Sequence, residues 1–193
     1  FSITSVGYSK RIIYRNRAKL NDYIYVTGNL GDSFVGLQIL KNKIKVEKKM
    51  KDYFIKKFYQ PDIQINLPLK LFKFANTSID ISDGLIADLE KMINKQKFSY
   101  QIYENKIPIS KTLTKLIKKK SLKKFNFVSK GDDYQILFTA GISKSRIIHK
   151  IFNKIGIKIS RIGVINSPIY KSTIIDQKGK QILVKKKGYS HQF

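Results

Sequence analysis

Thr77-Ser78-Ile79-Asp80-Ile81-Ser82-Asp83-Gly84-Leu85-Ile86-Ala87-Asp88-Leu89 reads as a strand that turns into a helix. Ile79 and Ile81 alternate with Ser78, Asp80 and Ser82, the period of a half-buried strand. Leu85, Ile86, Leu89, Met92 and Ile93 then recur at helical spacing, with Asp83 and Gly84 where the period changes. Asp80 and Ser82 therefore share one side of the strand end. Asp83 falls at a helix N-terminus, where unsatisfied N–H groups favour negative charge. Two carboxylates and a hydroxyl so placed suit a hard cation with phosphate oxygens around it. The same pattern also fits a plain helix start, with Ser82 or Asp83 as N-cap and Asp80 on a solvated strand end.

Working outward, residues 23–27 (Tyr-Ile-Tyr-Val-Thr) are rich in β-formers and read as a strand. A basic connector at 8–21, holding Arg11, Arg15 and Arg17, separates it from an alternating stretch at 1–7. Gly28, Leu30 and Gly31 turn the chain into a helix running to about residue 43. That turn lacks both the Walker spacing and a full G-x-G-x-x-G, so it is ordinary punctuation rather than a phosphate loop. Further helices are expected at 46–59, 67–75, 113–120 and 143–155, the last capped by Ser143. Strands are expected at 98–103, 134–139, 160–165, 173–175 and 181–184, with a turn at 177–180. With no repeat, low-complexity tract or flexible linker, these elements make one α+β domain, a mixed β-sheet flanked by helices.

The chain has 193 residues, enough for a substantial core, and opens at Phe1 without a Met. Residues 1–7 look like a strand cut from something longer, which leads us to expect a piece of a larger protein. There is no Cys, which excludes disulfides and thiolate metal sites. No apolar run approaches a membrane span, and a soluble, cytoplasmic protein with no membrane partner is expected.

The formal net charge of +26 would ordinarily point to nucleic acid or an anionic membrane. The excess is nearly all Lys, however, with Arg only at 11, 15, 17, 146 and 161. Surfaces that clamp phosphates favour the planar fork of Arg. Lys, Ile, Asn, Phe and Tyr share A/T-rich codons, so genome composition suffices to explain the charge. A solvated Lys coat is expected rather than a nucleic-acid footprint.

Four stretches resemble thiamine-monophosphate kinase, of the superfamily that includes aminoimidazole ribonucleotide synthetase and selenophosphate synthetase. They are residues 23–33, residues 78–85 with Asp88 and Leu89, residues 131–138 (Gly-Asp-Asp-Tyr-Gln-Ile-Leu-Phe), and the closing Gly188-Tyr189-Ser190-His191. The resemblance covers essentially the whole chain but only the C-terminal part of the family's. It implies that residues 1–7 are the last strand of a missing N-terminal domain or a linker, and that 8–193 form the family's C-terminal domain. The missing part would supply a Gly-Gly-Asp loop, most acidic metal ligands and the homodimer interface, so this chain alone should be inactive.

The reaction implied is transfer of the ATP γ-phosphoryl group to thiamine phosphate, giving thiamine diphosphate and ADP, with Mg²⁺ screening the charge. In-line transfer needs no covalent nucleophile, and no catalytic residue is assigned. Matched to the family's motifs, Asp80 and Asp83 would be Mg²⁺ ligands, and Ser82 and Arg15 would contact ATP. Asn16 and Arg17 stand where the family has Ser-Gly, so Arg15 and Arg17 could exchange roles. Asp132 and Tyr189 would contact thiamine phosphate. Asp132 is one methylene shorter than the family's Glu at this place, while the neighbouring Asp133 would fix the turn before the strand. His191 is expected to be structural, and His149 has no assigned role. Two alternatives are another ATP-dependent enzyme of the same superfamily and a Lys-rich nucleic-acid-binding module.

Overall fold

The structure is a computed structural model that describes residues 3, 4, 6–9, 11–184 and 188. Six strands form one mixed sheet in the order β2-β4-β1-β5-β3-β6. They are β1 (Tyr23–Thr27), β2 (Thr77–Asp80), β3 (Ser99–Tyr103), β4 (Ile136–Ala140), β5 (Ile159–Asn166) and β6 (Thr173–Ile175). All pairings are antiparallel except β3 with β6.

Alternation along the central strands explains the layers. Ile24 and Val26 of β1, with Leu137 of β4, face a core built on α4 (Leu85–Ile93), whose Leu85, Ile86, Leu89, Met92 and Ile93 are all buried. On the other face Tyr25 stacks on Phe138 at 5.2 Å, and Phe138 on Phe152 of α7 (Ser145–Ile155) at 6.1 Å. Leu71 of α3 (Pro68–Leu71) joins that second core. A third cluster binds α1 (Asp32–Leu40), α2 (Lys48–Tyr59), α5 (Lys111–Lys120) and α6 (Phe125–Val128) through Val35, Phe54, Leu113 and Phe127. Lys49 of α2, Lys118 of α5 and Lys150 of α7, and Lys95 in the turn after α4, are exposed.

Several expectations shift. The alternating stretch at 1–7 forms no strand among its described residues, where Ile3 and Val6 are almost fully exposed. The last expected strand shrinks to a single bridge between Ile175 and Gln181. Ser143 does not cap α7; it lies in a short 3₁₀ turn, Ile142–Lys144, that leads into the helix. The short helix α6 escaped a reading by periodicity, since four residues complete only one turn.

Candidate active site

The junction between β2 and α4 is a tight loop. Gly84 is the N-cap of α4, with φ of 128° and no side-chain cap bond, so neither Ser82 nor Asp83 plays that part. The backbone N–H groups of Ser82, Asp83 and Gly84 instead all donate to one carboxylate oxygen, Oδ2 of Asp88, at 3.0, 2.8 and 3.0 Å. The other oxygen of Asp88 accepts from Lys91 Nζ at 3.3 Å, and Lys91 also donates to Asp83 Oδ2. Asp88 is buried, and Lys91 and Asp83 are partly exposed. The bond it donates to Asp83 holds the Lys91 ammonium above its ordinary pKa, against some lowering by burial.

A second loop, residues 129–134, lies directly on the first. Asp132 N–H donates to Ser82 O at 2.9 Å and Tyr134 N–H to Ile81 O at 2.8 Å. A Cβ on Gly84 would meet Ser129 O at 2.3 Å, and one on Gly131 would meet Ser82 O at 2.2 Å. Only backbone without side chains allows so close a crossing. Asp132 and Tyr134 are both held at positive φ, 59° and 51°. Such non-glycine backbone costs on the order of 1–3 kcal/mol per residue and gathers at functional sites.

This crossing brings Ser82, Asp83 and Asp132 together. Partial burial raises the pKa of Asp132, and the neighbouring charge of Asp83 raises it further. Two carboxylates near enough for one to raise the other's pKa, with one ammonium on Asp83, favour further positive charge at this crossing.

Asp133, between the two strained residues, points the other way and is buried. Both of its oxygens accept from Gly31 N–H, at 3.0 and 2.9 Å, which ties this loop to the turn before α1. Nearby, Asp32 accepts from Ser110 Oγ at 2.7 Å and from Tyr53 Oη at 2.8 Å. Burial raises the pKa of both carboxyls, that of Asp133 strongly. Gln135, buried after Tyr134, accepts from Thr27 Oγ1 at 2.8 Å and fills the space over Gly28.

The other expected residues are spread out. Asp80 is exposed at the end of β2, on the rim of a groove of about 310 Å³ that is lined in part by Ile13, Phe72 and Ile79. Arg15 is exposed on the connector before β1, where Asn16 N–H donates to Met92 O and Asn16 Oδ1 accepts from Lys95 N–H. That anchorage lies at the opposite end of α4 from Asp83, about 13 Å along the helix axis at the usual rise. Tyr189 and His191 lie outside the described residues, but Gly188 sits beside the junction, its Cβ position 2.6 Å from Asp83 O. His149 is exposed on α7.

Asp88 and Lys91 are the residues that local pattern left without a role. An acidic residue one position past the N3 place of a capping box, behind a Gly, was the available signal. Among the described residues no group of three or more His, Asp or Glu side chains is placed to hold a metal ion. Asp80 and Asp83 are hard oxygen donors and fit Mg²⁺ by type, as a partial set to be completed by phosphate oxygens, water or further protein ligands.

No protein-family profile matches the chain. It is 37% identical to a thiamine-monophosphate kinase of Buchnera aphidicola over 183 residues, covering 93% of this chain and 55% of that protein. With the Escherichia coli K12 enzyme of the same name it shares 32% over 182 residues, again 55% of the relative's length. A solved structure described as AaThiL complexed with AMPPCP and TMP aligns at a TM-score of 0.77 and 27% identity, covering 95% of this chain and 55% of that one. The hydrogenase maturation protein HypE of Escherichia coli, at 12% identity and a TM-score of 0.67, shares the fold. The chain spans about half the length of the curated relatives it matches. In sequence and in fold, it is a homologue of the thiamine-monophosphate kinases.

Proposed function

We propose that this chain is the C-terminal part of an enzyme that phosphorylates thiamine phosphate. The γ-phosphoryl group of ATP passes in line to a phosphate oxygen of thiamine phosphate: one P–O bond forms as the bond to the β-phosphate oxygen breaks, leaving ADP and thiamine diphosphate. The observation that carries this is the meeting of Ser82, Asp83 and Asp132 where two loops cross, in a chain homologous to the thiamine-monophosphate kinases over nearly all its length.

In this reading Asp83, with Asp80 three residues back along the chain, holds Mg²⁺. The cation, when bound, neutralises the polyphosphate and draws charge from the moving phosphoryl group. The Ser82 hydroxyl donates to a phosphate oxygen. Arg15, on its own anchorage, clamps a more distant part of the polyphosphate by its forked donors. Asp132, its carboxylate half-buried beside Asp83, places negative charge near the thiazolium cation or accepts from the aminopyrimidine. Tyr189 follows Gly188 and stacks on the substrate rings, a cation–π contact of about 0.5–2 kcal/mol. Because the chain contributes one wall of the site, the facing wall comes from the remaining length seen in the relatives, in a cytoplasmic homodimer. The Lys coat, spread over helices on several sides, is not a nucleic-acid footprint.

The test is ADP formation with thiamine phosphate and Mg²⁺. We expect turnover from a protein that carries the remaining length and almost none from the 193-residue chain alone. Turnover by this chain alone would overturn the division of the site, and no thiamine diphosphate from the longer protein would overturn the assignment.

A further inference from the structure

Asp88 sits one turn inside α4 and is buried. Its two oxygens nevertheless do different work. Oδ2 gathers the three consecutive N–H groups of Ser82, Asp83 and Gly84. Oδ1 accepts from Lys91, whose ammonium also holds the carboxylate of Asp83. The backbone of Asp83 is thus fixed through one oxygen and its side chain, through Lys91, by the other. Three donors on a single carboxylate oxygen would leave little reason for the loop to offer its N–H groups to a ligand; what it offers outward is side chains.

We propose that Asp88, with Lys91 as its arm, is the positioning residue that presents Ser82 and Asp83 at the site. This rests on the assignment of those two residues to phosphate and cation. Removing the charge on Asp88 weakens the bonds from the loop, because bonds to a charged acceptor are about twice as strong as neutral ones. An Asn in its place also turns an amide N–H₂ toward Lys91 if its oxygen keeps the loop, so the arm is lost even where the loop is partly held.

Hydrogen exchange of the amides of Ser82, Asp83 and Gly84, in the parent chain and in Asp88→Asn, tests the positioning without reference to catalysis. We expect exchange at these three amides to rise at least about tenfold, since each loses a bond to a charged acceptor, with the amides of Ile148 and Phe152 in α7 unchanged. Unchanged exchange at the loop would overturn the proposal, and so would a uniform rise across all elements, which would make Asp88 a residue of the fold alone. The same substitution in the longer protein should lower kcat at least about tenfold and raise the Mg²⁺ concentration for half-maximal rate, with Lys91→Arg closer to the parent than Lys91→Met. A freed loop with full turnover would instead show that Ser82 and Asp83 do not serve the reaction.

Discussion

Gly131 stands against Ser82 with no room for a side chain, because a Cβ on it would lie 2.2 Å from the Ser82 carbonyl oxygen. Gly131 also has φ of 79°, a conformation that L-residues adopt at a cost. Gly131→Ala should therefore destabilise by about 2 kcal/mol or more, from backbone strain with the clash added. Urea denaturation measures it, and a loss below about 0.5 kcal/mol would contradict the crossing as described.

Asp83→Asn and Asp80→Asn in the longer protein should each lower turnover about a hundredfold or more, if the charge that they offer acts in the transition state. Stability should change little, because the Asp83–Lys91 pair is partly exposed and such pairs are worth about 0–1 kcal/mol. Unchanged kcat with a normal melting curve would remove these residues from the site.

Gly188→Ala would bring a methyl group to 2.5 Å from Ala87 Cβ and 2.6 Å from Asp83 O, so the tail must move off the junction. Displacing the following aromatic residue should raise KM for thiamine phosphate by up to about tenfold, the equivalent of a cation–π contact, with KM for ATP less affected. Equal changes in both constants would show a general loosening instead.

Burial raises the pKa of Asp133 in the folded chain, with repulsion from Asp32 and Asp132 adding to it and the bond from Gly31 opposing it. Between the ordinary carboxylate pKa and the raised one, the folded state binds more protons than the unfolded state, so stability falls as pH rises through that window. Asp133→Asn keeps an acceptor for Gly31 N–H and carries no charge. Its stability relative to the parent should rise with pH across the window and level off below the ordinary carboxylate value. Chemical denaturation from pH 4 to 7 checks this, and a flat difference would mean that Asp133 titrates in the folded chain as it does in the unfolded one.

The residues at 77–89 were legible because the change from period two to helical spacing is written in apolar side chains that really are buried. The place of Asp83 at the end of the strand was legible for the same reason, since it falls where the period changes. The meeting of Asp83 with Asp132 was not, because it depends on β2 pairing with β4 and on two glycines crossing, both long-range facts. Asp88 shows the reverse limit. Its charge sits on the buried side of an amphipathic helix, a place where periodicity expects an apolar residue and gives a carboxylate no role.

The bonds that shape the loop all come from within its own helix, from Asp88 to residues 82–84 and from Lys91 to Asp83, whereas the contact with Gly131 and Asp132 joins distant parts of the chain. Loops of short span close at lower entropic cost. The site is thus expected to assemble in two stages, the junction taking shape as α4 forms and its second wall docking only when β4 joins β2. Kinetic φ-values would show it, high for Asp88→Asn and low for Gly131→Ala, and the reverse order would place the nucleus in the sheet. A chain interrupted between residues 94 and 130 would then still build half of this crossing, with nothing yet to dock against it.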